Sequence, residues 1–546
     1  MLLLFRSIKF KGLLLVVLVP NMAFKSVYGK NLITTNDNVE ITINSQKISY
    51  LISPLIFGMN RFDDEVLVKI KPSIMRWGGN DSSRYNIGND TTSLGEDYFF
   101  QNIPKAKKYL SSLVKRNKTA NIQSIITLPL LGWIPKRRKE EHPFDCSFSV
   151  IKYGLQDDVD SWDTDCGNGS KNGIPLTDND PQDASILFSK SYQSKFINLF
   201  VREYGLAKNG GVNFYSLDNE PMLWHKTHRD VVKKPIDYIS LLDKHIKGAS
   251  IIKTIDPTAA SLGPVLWGWC AYFFSAQDGC QEGLDHQRNQ NLSFLPWYLK
   301  QFHDYEKTNK LRLLDYLDVH IYPQGDSIYS SNPGSIETQK LRLRSTNLLW
   351  DKDYIDESWI NQPIYLIKRL KEWINVYYPG TKIAISEYNW GGFGSINGAI
   401  AQADLLGIFG AEGVDIATHW EYPKATMQQP GVYAFQMYTN FDGNGAAFGR
   451  NGVQALSSNR GLVSVYSSLQ EEGNLTTIFI NKSFGTVIAD VSHITNKHFS
   501  GEAMAYSFSS ANPRSILSSR VSLPNLQNFK LTLPAQSIYM LFLPKL

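Results

Sequence analysis

Polar and apolar residues alternate over Val39–Asn44 and Ile48–Ile52, the pattern of half-buried strands. From about residue 53 to 425 the pattern changes, and short β-prone runs recur between longer stretches of helical periodicity. The strand runs are Leu55–Met59, Ser73–Trp77, Ser124–Leu130, Phe214–Glu220, Ala260–Val265, Leu317–Tyr322, Ile383–Tyr388 and Ala417–Glu421. Amphipathic runs lie between them at Ala184–Glu203, Pro235–Ile252, Phe294–Glu306, Gln362–Tyr377 and Gly398–Glu412. Eight strands with intervening helices predict an α/β fold whose parallel sheet closes as a (β/α)8 TIM barrel. An open doubly wound sheet is the competing architecture, but no glycine-rich phosphate loop follows an early strand. From about Phe441 helical periodicity stops. The runs Leu462–Ser467, Leu475–Asn481, Thr486–Val491, Met504–Ser509, Ser519–Leu523 and Ser537–Phe542 then predict an antiparallel β-sandwich, which the early β segment is expected to join. The expected organisation is a leader over 1–29, a β segment over 30–52, a barrel over 53–440 and a sandwich over 441–546.

The leader has its own logic. Arg6, Lys9 and Lys11 precede the apolar run Leu13–Val19, and Val27-Tyr28-Gly29 suits a cut after Gly29, as in a signal peptide. The run is short for a permanent anchor and no other segment is apolar enough to span a bilayer, so a soluble, secreted or periplasmic protein is expected once the leader is removed, with a retained N-terminal anchor as the competing reading. Length favours two folded regions over one. Hydrophobic residues at 42% and charged residues at 20% exclude wholesale disorder. The net charge of +5 is small, and the one basic block, Lys136-Arg137-Arg138-Lys139, reads as a solvated loop, so nucleic acid is not an expected partner. Cys146, Cys166, Cys270 and Cys280 match no zinc spacing. Local pairing 146–166 and 270–280 is the preferred of three connectivities in an exported chain.

Candidate chemistry begins with two glutamates. Glu220, in Asp218-Asn219-Glu220-Pro221, and Glu387, in Ser386-Glu387-Tyr388-Asn389, each end an apolar run, on the fourth and seventh strand candidates. Hydrolysis of a glycosidic bond needs two facing carboxyl groups, and a parallel barrel brings distant strand ends together. Each glutamate alone also suits a structural role, Glu220 at a helix start before Pro221 and Glu387 as a loop cap. Other strand ends supply expected substrate contacts. Asn219 can bond a sugar 2-hydroxyl, and Arg76 can hold a neighbouring carboxylate ionised. Alternation sends Asp318, His320 and Tyr322 to one side of the sixth strand. Trp390, Trp420 and Glu421 complete the set, Trp420 as a floor for a sugar ring. His320 lacks the spaced partners of a metal ligand set. The acidic stretch Asp157–Asp165 offers oxygen to a structural calcium, although it lacks the glycine and terminal glutamate of an EF-hand, and a solvated loop is the simpler reading. The chemistry calls on no cofactor.

Longer stretches carry a resemblance. Arg76-Trp77-Gly78-Gly79-Asn80 with Ser83–Asn86, Thr127–Trp133, Ser216–Pro221, Gly263–Val265 with Trp267-Gly268-Trp269, Leu317–His320, Asp356–Trp359 and Ile385–Trp390 follow one another as in glycoside hydrolase family 44. The likeness continues through Gln436-Met437-Tyr438 and Ser457-Ser458. The chain thus resembles endo-acting β-glucanases and xyloglucanases. That resemblance implies a barrel with an attached sandwich, retention of anomeric configuration, Glu220 as acid/base and Glu387 as nucleophile. The expected substrate is a β-1,4-glucan of the cellulose or xyloglucan type, attacked internally by a monomer. His225-Lys226 and the cysteine pairs depart from the family pattern. Two other readings compete: a polysaccharide-binding protein that keeps the cleft without activity, and a zinc hydrolase, for which the spacing supplies no ligand set.

Overall fold

The computed structural model describes residues 37–422 and 424–546; the segment read as a leader lies outside the described residues. Eight parallel strands close a barrel in chain order: β1 (Gly58–Met59), β2 (Ile74–Trp77), β3 (Gln123–Leu128), β4 (Phe214–Leu217), β5 (Ala260–Leu266), β6 (Tyr316–Ile321), β7 (Lys382–Tyr388) and β8 (Ile416–His419). Each falls within or against a predicted run. Apolar side chains fill the lower barrel, where Ile74, Ile125, Phe214, Leu262, Tyr316, Ala384 and Ile416 form a buried layer. Above them the interior turns polar, as expected of the end where barrel enzymes carry their chemistry.

Helices cover the outside. Asp237 caps the helix Tyr238–Ile255 by accepting from Ser240 N at 2.6 Å, and Ser395 caps Ile396–Ala411 through Gly398 N. One helical expectation starts late: the chain is helical only from Tyr192 to Tyr204. Ser185–Leu187 is instead drawn into an edge pairing with Trp133–Pro135, because that pairing satisfies its backbone and keeps Ser185 inside.

Beyond the barrel, β9 (Asn451–Ser457), β10 (Val463–Leu469), β11 (Leu475–Asn481), β12 (Val487–Ile494), β13 (Glu502–Ser509), β14 (Leu517–Ser522), β15 (Asn528–Leu533) and β16 (Ser537–Leu543) form two leaves around a second apolar core. β9 passes between the leaves, its first half paired with β10 and its second half with the strand Asp37–Asn44. The expected purely antiparallel pattern is corrected at one place. Asp37–Asn44 runs parallel to β12, from Asp37 opposite Val487 to Asn44 opposite Ile494. Neighbours so far apart in sequence are joined by no hairpin, so nothing forces them antiparallel.

The sandwich and barrel share a buried polar contact. Asp404, on the helix after β7, accepts from Lys482 Nζ at 2.9 Å, Tyr466 OH at 2.7 Å and Thr346 Oγ1 at 2.9 Å. Gly407 leaves room for the Tyr466 ring, which an added Cβ would meet at 2.2 Å. The structure pairs Cys146 with Cys166 and Cys270 with Cys280.

Candidate active site

Glu220 stands just past β4. Asp218 and Glu220 both adopt the left-handed backbone region, with φ of 67° and 43°, a costly conformation for residues with a Cβ and one that clusters at functional sites. The turn is held from both sides. Glu220 N donates to Val265 O at 3.0 Å, and the buried Asp218 carboxylate accepts from Leu130 N, Leu131 N, Asn219 N and Ser83 Oγ. Burial pushes the Asp218 carboxyl above its ordinary range even so.

Glu387 reaches the barrel interior by a different device. Ala384 belongs to the interior layer, so strict alternation along β7 would send Glu387 outward. Against β6, Asp318 pairs with Ala384 and His320 with Glu387; against β8, Ile385 pairs with Ala417 and Tyr388 with His419. Strand β7 therefore carries one extra residue against both neighbours, a bulge that turns Glu387 in.

The two carboxylates meet at His320. Its Nδ1 lies 2.8 Å from Glu220 Oε1 and 3.7 Å from Glu387 Oε2. One oxygen of each glutamate and the histidine nitrogen all fall within 4.8 Å of one another. The remaining contacts of the pair differ. Glu387 Oε2 accepts from Arg76 Nη1 at 2.8 Å, and Oε1 accepts from Tyr322 OH at 2.6 Å. Burial would raise the Glu387 carboxyl, but the charges of His320 and Arg76 and the hydrogen bonds from Tyr322 and Arg76 outweigh it and hold it below its ordinary value. Among the described residues no lysine or arginine lies within ion-pair distance of Glu220, whose close neighbour is the His320 ring. The site thus holds one carboxylate ionised and leaves the other beside an imidazole.

Three donors from three strands also make a geometry that a metal ion can use, which sequence spacing could not reveal because β4, β6 and β7 each supply one. Arg76 argues against it, since its fixed positive charge already occupies one Glu387 oxygen and repels a second cation.

The other expected contacts separate into two groups. Asn219 is buried, with Oδ1 accepting from Arg76 Nη2 at 2.6 Å and from Gly79 N at 3.3 Å. Trp420 is half-buried at the rim, its ring so close to Gly79 that a Cβ there would stand 2.6 Å from it. These two, with Arg76, His320 and Tyr322, belong to the site. Trp390 does not. It is 2% exposed, its indole donates to Ser345 Oγ at 3.0 Å, and it has no free face for a sugar, so the expected contact is corrected to a packing residue. The Glu421 carboxylate is taken up by Asn389 Nδ2 and Gln429 Nε2, each at 3.1 Å. In the acidic stretch, Asp157, Asp160 and Asp165 accept from nearby backbone and side-chain donors, as a folded loop does.

Sequence reasoning passed over Asn60. Its Oδ1 accepts from Arg76 at 3.0 Å while its Nδ2 reaches the carbonyls of Ser386, Thr418 and His419, tying β1, β7 and β8 around the arginine. Its place directly after β1, at the chemical end of a barrel strand, is the signal that marks it.

Known proteins resemble this chain along most of its length. The profile of glycoside hydrolase family 44 matches residues 91–325. Endoglucanase A of Paenibacillus lautus is 32% identical over 92% of this chain and 72% of its own length. A β-mannanase/endoglucanase A of Caldicellulosiruptor saccharolyticus is 31% identical over 87% of this chain and 36% of its own. The solved structure of CelM2, a bifunctional glucanase-xylanase from a metagenome library, superposes with a TM-score of 0.89 at 36% identity, covering 94% of this chain and 100% of that one. A Paenibacillus polymyxa xyloglucanase solved with xyloglucan gives 0.78 at 26% identity, over 93% and 100%. With a relative above 30% identity aligned along most of both chains, the protein is a glycoside hydrolase and belongs to family 44.

Proposed function

We propose that the protein is a retaining endo-β-1,4-glucanase with Glu387 as nucleophile and Glu220 as acid/base. The observation that carries this reading is the approach of the two carboxylates to within 4.8 Å. Retaining enzymes set their carboxyl groups about 5–5.5 Å apart, whereas inverting enzymes leave roughly 6.5–9.5 Å for a water. Glu387, kept ionised by Arg76 and Tyr322, attacks the anomeric carbon. Glu220 gives its proton to the departing glycosidic oxygen, then takes one from the water that breaks the glycosyl-enzyme ester. His320 hydrogen-bonds Glu220 and stands 3.7 Å from Glu387, so it orients the first and senses the charge on the second as the ester forms and breaks.

The relatives named for glucanase, mannanase, xylanase and xyloglucanase activities support a β-1,4-linked polysaccharide as substrate. Two disulfides and the N-terminal pattern support export, and no described helix is long and apolar enough to cross a membrane. The enzyme is read as a monomer acting without a cofactor. Proton NMR of the first product formed from cellohexaose tests the mechanism: β-configured reducing ends are expected, and α-configured ones would refute retention.

A further inference from the structure

Beside the catalytic centre lies a cavity of about 410 Å³, walled in part by Trp420, that the reaction described above does not use. It shares Asn60, Arg76 and Trp420 with the active site, so the two spaces adjoin. Its walls are strongly cationic. Arg61, Arg76, Lys105, Arg116 and Lys424 line it, with Asp81 the one acidic residue among the lining.

Most of these charges are already answered. Arg76 is paired with Glu387, Arg116 with Asp64 and Lys424 with Asp63. Arg61 and Lys105 remain, and both face the single carboxylate of Asp81. Lys105 holds it at 3.0 Å, while Arg61 stands off at 3.8 Å. Among the described residues the Arg61 guanidinium makes no hydrogen bond, although it is only partly exposed. It is fixed in position by stacking, 4.7 Å over the Trp420 ring and 5.6 Å over Tyr422. A guanidinium held over aromatic rings with its donors unspent is prepared to bind a planar carboxylate through two parallel bonds.

We propose that this cavity receives the carboxylate of a uronic acid carried by the glycan at the sugar stacked on Trp420, so that acidic β-1,4-glycans are a substrate class of the enzyme. The uronate carboxyl pairs with Arg61 and Lys105, and Met75 and Leu113 offer apolar surface to its ring. The inference rests on the glycosidase reading for its substrate, but on Arg61 and Lys105 for its charge.

Arg61→Gln and Lys105→Met are compared with the unaltered enzyme on carboxymethylcellulose and on neutral hydroxyethylcellulose of similar substitution. Loss of one charge-assisted pair predicts a fall of about tenfold in the ratio of kcat/KM, acidic over neutral, in each variant. An unchanged ratio, or equal losses on both polymers, overturns the proposal. A parallel titration follows tryptophan fluorescence with methyl β-D-glucuronide, methyl β-D-glucoside and sulfate. Binding of the glucuronide that is weakened in both variants supports the site; sulfate binding as tightly as the glucuronide overturns the uronate assignment. If the unaltered enzyme hydrolyses neither polymer, the glycosidase reading fails and the titration alone decides the cavity.

Discussion

Arg76 spans the barrel mouth from β2 to reach Glu387 at the end of β7, its Nη1 donating to Oε2 over 2.8 Å with the arginine side chain entirely buried. A buried arginine with a single carboxylate partner commits that carboxylate to its ionised form. In Arg76→Gln the Glu387 carboxyl loses its guanidinium partner and its pKa rises. A nucleophile must be ionised, so the acid limb of the kcat/KM profile, which falls as pH drops through that pKa, is expected to move to higher pH. The variant should also unfold about 3–5 kcal/mol more easily, because an uncompensated buried charge remains. A pH–rate profile and a denaturant titration check the two outcomes, and an unmoved acid limb would argue against the role given to Arg76.

Glu220 is expected to matter in proportion to the leaving group. For Glu220→Ala, general acid catalysis worth about 10²–10⁴-fold should vanish on natural glucan, while formation of the intermediate from dinitrophenyl cellobioside slows far less. Adding azide should then restore turnover and yield a β-glycosyl azide detectable by mass spectrometry. Equal losses on both substrates would remove Glu220 from the acid/base role.

Tyr322→Phe deletes the donor to the second Glu387 oxygen without opening a large cavity. A hydrogen bond to a charged group is worth about 1.5–3 kcal/mol, which corresponds to a loss of roughly 10–100-fold in kcat/KM. Steady-state kinetics on a soluble glucan reads this directly, and a melting temperature close to that of the parent shows that the loss is chemical.

The Asp404–Lys482 contact makes stability depend on acid. Burial would raise Asp404, yet Lys482, Arg460 and Tyr466 lower it to about 2 from its ordinary 3.8. The folded pKa is depressed, so the contribution is complete above the unfolded value and disappears as pH falls from about 4 towards 2. That window should carry about 2 kcal/mol. Lys482→Met is expected to destabilise the protein at neutral pH and to flatten this part of the stability curve, as measured by urea titrations from pH 2 to 7.

The barrel was legible because each of its strands is a short apolar run bounded by turn residues, and Glu220 and Glu387 were legible because they end two of those runs. Their mode of presentation was not. Period-two alternation, the rule that correctly turned His320 and Tyr322 inward, points Glu387 the wrong way, and only pairing with β6 and β8 discloses the extra residue in β7. Asn60 and Asp218 escaped for a related reason: their importance lies in backbone groups from other strands that they hold, and no local pattern encodes such partners. Trp390 was misread because a tryptophan two residues beyond a strand end has the same appearance in sequence whether it faces a cleft or Ser345. The convergence of Glu220, His320 and Glu387 is likewise a property of barrel closure.

The strand Asp37–Asn44 has a consequence for how the molecule is made. It sits between β9 and β12, with Ile41 opposite Ser457 on one side and Val491 on the other. During synthesis this segment is therefore among the first of the described residues to appear, yet both of its neighbours come after the whole barrel. At ordinary elongation rates its edges stay open for a time on the order of tens of seconds. Pairing at such sequence distance is slow to nucleate, so closure of the sandwich is expected to be the last and slowest event of folding. A β-prone segment waiting that long is the part of the chain most exposed to pairing with another copy of itself, and the yield of active enzyme is expected to depend on what shields it in the meantime.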